Sequence, residues 1–98
     1  MQTKKIDIST IKAQIIPILR NYKVQRAGLF GSYARGEANK RSDIDVVVDI
    51  PARMGLLEIV DLKNDLQKRL HKHVDLVEYS AIKPRLKKSI LNDHVTLI

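Results

Sequence analysis

Cysteine and tryptophan are absent from these 98 residues, and the aromatic side chains number only four, three tyrosines and one phenylalanine. Without cysteine, disulfide staples and thiolate metal sites are excluded. With so few rings there is no row of platforms on which single-stranded bases could stack. No apolar run approaches the roughly 18–20 residues that a membrane-spanning helix needs. Behind the basic pair Lys4-Lys5 there is no apolar h-region, so the reading is a cytoplasmic protein without a signal peptide. The length suits one compact domain over residues 1–98, with a small core and correspondingly little stability in reserve.

What is present is ordinary for a folded protein, 44% apolar and 30% charged, apart from a net charge of +7. A basic surplus concentrates anions and suits a polyphosphate or nucleic-acid ligand, although a lysine-rich solvated surface gives the same count. The scarcity of aromatics makes nucleic acid the weaker of those ligands.

Periodicity divides the chain into alternating elements. Asp7 or Ser9 can cap a helix in which Ile11, Ile15, Ile16, Ile18 and Leu19 recur at helical spacing, with Pro17 expected to kink or end it. A strand is expected from Val24 to Phe30, then a short helical turn and loop over Ser32–Arg41. The β-branched run Ile44–Ile50 ends at Pro51 and reads as a second strand. Residues 55–71 are helical in pattern, with Leu56, Leu57, Ile59, Val60, Leu62, Leu66 and Leu70 largely on one stripe. A third strand over His73–Glu78, a helix opened by Pro84 and a final strand over Val95–Ile98 complete the order. That order implies an α/β (α+β) fold with a small mixed sheet of about four strands and helices packed on it.

One segment carries chemistry, Gly31-Ser32-Tyr33-Ala34-Arg35-Gly36 followed by Ser42-Asp43-Ile44-Asp45. Strand residues two apart share a face, so Asp43 and Asp45 project together. Two like charges held that close are costly unless a cation sits between them, and Mg²⁺ takes such oxygen ligands. An isolated Asp-x-Asp is more often a cap or a solvated edge, but the upstream half changes the balance. Gly31 and Ser32 close a strand and open a helical turn, where backbone N–H groups and a hydroxyl can meet phosphate. Arg35 can clamp an anion or pair with Glu37, and Gly36 serves a turn that needs unusual backbone angles. Asp75 begins an apolar strand, where a charge belongs at a functional edge. Beside Asp43 and Asp45 it would hold metal or accept the proton of an attacking hydroxyl.

Taken together, Gly31-Ser32, Ala34-Arg35-Gly36, Ser42-Asp43-Ile44-Asp45 and Asp75 resemble the pattern of minimal nucleotidyltransferases in the DNA polymerase β-like superfamily. The resemblance spans nearly the whole chain but not the extra helical domain of larger members. It implies that Gly31 and Ser32 bind the β- and γ-phosphates, with Arg35, Gly36 and Ser42 completing the nucleotide site. It further implies that Asp43, Asp45 and Asp75 coordinate two Mg²⁺ ions. Proteins that look like this are commonly antitoxins that transfer AMP from ATP to a tyrosine of a HEPN-type ribonuclease toxin. The alternative is a non-catalytic NTP-binding module that neutralises a partner sterically. A homodimer or hetero-oligomer is expected, and base preference is not legible. His71, His73 and His94 show no metal spacing with cysteine, and His71-Lys72-His73 reads as solvated. Lys83, Arg85, Lys87 and Lys88 read as an exposed helical face.

Overall fold

The computed structural model describes residues 7–98, so the reading of the first six residues, including the absent h-region, lies outside the described residues. Helix α1 (Ile8–Asn21) starts where predicted, because the Asp7 carboxylate accepts the Thr10 N–H at 2.8 Å. Ile11, Ile15 and Leu19, one helical repeat apart, are wholly buried. The helix runs through Pro17 and does not end there. Pro17 lies on the exposed side, and the packing of the buried isoleucines and leucine outweighs the lost backbone hydrogen bond.

Four strands follow: β1 (Arg26–Phe30), β2 (Ile44–Asp49), β3 (Val74–Glu78) and the short β4 (Val95–Thr96). They form one mixed sheet in the order β3-β2-β1-β4, with β2 and β3 parallel and the other pairs antiparallel. Between them lie α2 (Gly31–Ala34), α3 (Leu56–Leu70), a 3₁₀ turn (Tyr79–Ala81) and α4 (Pro84–Asp93). The small mixed sheet is the one expected.

The sheet is covered unequally. On one face Ala27, Leu29, Ile44, Val46, Val48 and Val74 join Ile11, Ile15, Leu19, Leu62, Leu66 and Leu70 in the main core. On the other, Val47 packs with Tyr79 and Ile82, flanked by Phe30, Val77, Ile90 and Leu91. Central β2 is thus buried on both sides, which explains its unbroken apolar run. The stripe on α3 is narrower than expected: Leu62, Leu66 and Leu70 are buried, but Leu56, Leu57 and Val60 are 76%, 80% and 45% exposed. At 100° per residue Leu57 falls opposite the buried stripe, and Leu56 and Val60 fall on its flank.

The register also fixes which end of the sheet is chemically rich. β1 is antiparallel to β2, so its last residue, Phe30, lies opposite Asp45. β3 is parallel to β2, so its start is level with the start of β2, and Asp45 pairs with Asp75. Asp49 pairs with Arg26 at the far end, away from the other aspartates.

Candidate active site at the end of the sheet

Asp43, Asp45 and Asp75 have the same strand parity as Val47 and Val77, which places all three on the second face of the sheet. Ile44 N–H donates to the His73 carbonyl at 3.0 Å, which locks the starts of β2 and β3 together. Asp43 and Asp75 are about half exposed, and Asp45 lies deeper.

Asp45 is the most perturbed of the acids. Burial, a hydrogen bond with Asp75, and the charges of Asp75 and Asp43 push its carboxyl up to about 6, with Arg35 pulling the other way. Burial and crowded like charges both disfavour the ionised form, and a cation held among the carboxylates would offset them. The donor set is hard carboxylate oxygen, partly open to solvent, which fits a divalent cation that keeps some of its water.

Gly31 explains how the loop comes so near. Its φ is +73°, a left-handed conformation that side chains disfavour, and an added Cβ would overlap the Asp45 carboxylate. Glycine is therefore needed twice here, for the turn and for the approach. Ser32 is the second residue of the single-turn helix that follows, where the leading N–H groups have no partner within the helix.

The remaining predicted residues are placed less centrally. Arg35 Nε donates to Glu37 Oε1 at 2.9 Å, the local pairing weighed above as its plainer role. Gly36, with φ +73° and nothing near its missing Cβ, serves the turn. The Ser42 hydroxyl accepts the Asn39 N–H at 2.9 Å and so shapes the loop that delivers Asp43. Lys72 Nζ donates to the Lys40 carbonyl at 2.8 Å, tying that loop to the turn before β3.

His73 is the residue that sequence reasoning passed over. Its Nδ1 lies 3.4 Å from Asp43 Oδ2 and 3.8 Å from Asp75 Oδ1. The signal was available: the strand read from the sequence already starts at His73, so residues 73, 75 and 77 share a face. His71, by contrast, is the exposed left-handed cap that ends α3, with φ 54°. His94 packs on Gly28, hydrogen-bonds the Tyr79 hydroxyl at 2.7 Å, and has its pKa lowered by burial and by Arg26. The basic residues of α4 are exposed, as expected. Among the described residues no helix is long and apolar enough to cross a membrane.

Residues 13–98 match the family described as polymerase beta, nucleotidyltransferase. The chain is 45% identical over 93 residues to a putative protein adenylyltransferase of Methanocaldococcus jannaschii, covering 95% of this chain and all of that one. Its fold is similar to that of a putative minimal nucleotidyltransferase, with TM-score 0.79, 32% identity and coverage of 92% and 95% of the two chains. It is also similar to a chain from a complex of tri-AMPylated Shewanella oneidensis HEPN toxin with MNT antitoxin. There the TM-score is 0.71 and identity 26%, over 92% of this chain and 71% of that one. With the aspartates grouped at the strand starts and the matched residues spanning most of its length, this chain belongs to the polymerase β-type nucleotidyltransferase family.

Proposed function

We propose that the chain transfers AMP from ATP to a hydroxyl of a protein partner, a tyrosine of a HEPN-type toxin, and thereby acts as an antitoxin. The observation that carries this reading is the convergence of Asp43, Asp45 and Asp75 on one face, with Gly31 held against Asp45. Convergent carboxylates beside a close-approach glycine suit a nucleotide whose phosphates must sit next to a cation. The similarity to an adenylyltransferase and to an antitoxin bound to an AMPylated toxin supports the choice of nucleotide and acceptor.

In this proposal Asp43, Asp45 and Asp75 hold Mg²⁺, two ions when fully loaded, which supplies charge neutralisation for the triphosphate. Gly31 and Ser32 bind the β- and γ-phosphates through N–H groups and the hydroxyl, with Gly36 and Ser42 holding the loop in shape. Arg35 reaches a phosphate only by leaving Glu37. The acceptor oxygen attacks the α-phosphorus, the bond to pyrophosphate breaks, and the hydroxyl proton passes to Asp75. Asp45 stands next to Asp75 across the β2–β3 pairing.

The test is intact-mass measurement of a HEPN partner mixed with this chain, Mg²⁺ and each NTP in turn. The expected result is one or more added AMP units with ATP, and none with Asp45→Asn. A stable complex with no mass gain under any NTP would reject transfer and favour steric neutralisation.

A further inference from the structure

We propose that His73 is a nitrogen ligand in the cation site, making it an Asp-His-Asp centre that prefers first-row transition dications over Mg²⁺. The proposal rests on the reading of Asp43 and Asp75 as metal ligands and extends it to a residue outside that set.

Geometry carries it. One ligand atom from each of Asp43, His73 and Asp75 lies within 4.8 Å of the others, and Nδ1 is 3.4 Å and 3.8 Å from the two carboxylate oxygens. An octahedral ion with bonds of about 2.0–2.2 Å sets adjacent ligand atoms about 3 Å apart and opposite ones about 4.2 Å apart. Separations of 3.4 Å and 3.8 Å lie between those two values, so the three groups reach that frame after movements of under about 1 Å. The side chains are about half exposed, so these movements need no rearrangement of the core.

The backbone supports the same placement. The His73 carbonyl accepts the Ile44 N–H, which fixes residue 73 against the start of β2. Parity then sends its side chain to the face of Asp75. The neighbouring Lys72 ammonium is occupied by the Lys40 carbonyl, which keeps it tied to the loop backbone. The His73 imidazole thus faces both Asp43 and Asp75.

Chemistry gives the consequence. Carboxylate and water ligands suit Mg²⁺, whereas imidazole nitrogen favours the later divalent ions, with affinity rising from Mn²⁺ to Co²⁺. Replacing an oxygen position by Nδ1 thus tilts selectivity away from Mg²⁺. Changes to groups that merely orient a ligand cost about 10–100-fold in metal affinity, so a direct ligand should be worth at least tenfold.

The test uses the full chain without nucleotide. Calorimetric titrations with Mg²⁺, Mn²⁺ and Co²⁺ are run on the wild type, His73→Ala and His71→Ala, with pulsed electron paramagnetic resonance of bound Mn²⁺. Expected are a ¹⁴N coupling to Mn²⁺ that His73→Ala removes and His71→Ala keeps, and a tenfold or greater fall in Co²⁺-over-Mg²⁺ preference in His73→Ala. Absence of ¹⁴N coupling in the wild type, or its survival in His73→Ala, would overturn the proposal, and the wild-type spectrum decides even if a variant folds poorly. Asp43→Asn and Asp75→Asn separate the underlying reading. If both bind Mn²⁺ as tightly as the wild type, the metal site itself is wrong, whereas a failure confined to His73→Ala leaves it standing.

Discussion

Gly31→Ala separates two demands made on one residue. At φ +73° an L-residue costs about 1–2 kcal/mol relative to glycine. The new Cβ also overlaps the Asp45 carboxylate, and forced overpacking of this kind adds about 1–3 kcal/mol. The single variant should therefore lose about 2–5 kcal/mol, which for a domain of this size lowers Tm by about 10 °C or more. In an Asp45→Ala background the clashing oxygen and Cγ are gone. The atom left is the Asp45 Cβ, at 3.4 Å, an ordinary van der Waals contact. Only the backbone strain remains there, so the coupling energy from urea unfolding of the four proteins should be about 1–3 kcal/mol. AMP transfer by Gly31→Ala should fall by about 100-fold, the usual consequence of a carboxylate displaced by about 1 Å. A coupling below about 0.5 kcal/mol, the limit of ordinary additivity, would refute the claim that glycine is there to admit Asp45.

Other expectations follow from burial and charge. In EDTA, Asp45 titrates near 3.8 when unfolded and at about 6 when folded, so its contribution is greatest below pH 4 and is lost as pH rises through 6. A shift of two units is worth about 3 kcal/mol at most. Solvent screening at this partly exposed position reduces that to about 1–2 kcal/mol. Urea titrations should show the wild type losing that much relative to Asp45→Asn between about pH 4 and pH 7. Pro17→Ala restores a helix N–H on the exposed side of α1 and should raise Tm, by up to about 3 kcal/mol in stability; a fall would mean that Pro17 is needed for packing. Leu62→Ala should cost about 2–5 kcal/mol by denaturant unfolding, because Leu62 is wholly buried. Leu57→Ser, at a position 80% exposed, should change stability by less than about 0.5 kcal/mol.

How far the sequence reveals this site depends on the range of each interaction. The shared face of Asp43 and Asp45 follows from strand parity alone, and the β-branched run between Ile44 and Val48 made the strand plain. Asp75 needed one more fact, that β3 lies parallel to β2 in register, which a single chain implies only through topology. The contact between Gly31 and Asp45 joins residues fourteen apart, so the sequence offers a glycine in a turn but not what it makes room for. Arg35 went to its near neighbour Glu37, a local pairing that chain order does suggest. His73 reads as solvated because it belongs to the basic stretch His71-Lys72-His73 at a helix end, although the parity of a strand starting at His73 puts it on the face of Asp75. On α3, helical spacing marks every apolar residue near the stripe and cannot say that α1 and the sheet cover only the part through Leu62, Leu66 and Leu70. On α1, local propensity favoured a break at Pro17, but burial of Ile15 and Leu19 on either side of it outweighed that preference.

The crowding of acids also favours catalysis over steric neutralisation. Asp45 ionises with difficulty because it is partly buried and because Asp75 and Asp43 crowd it, so its charge lowers the stability of the metal-free protein. A domain that worked only by occupying a partner would gain from neutralising that position. Sites that do chemistry accept such costs in exchange for function. Asp45→Asn should therefore be more stable than the wild type at neutral pH in EDTA, bind the partner as well, and yet fail to protect cells producing it. Equal protection by this stabilised variant would mean that occupancy suffices and that the aspartates serve something other than antitoxin action. Loss of protection with binding intact would assign neutralisation to the transferred AMP, since the remainder of the contact surface is unchanged.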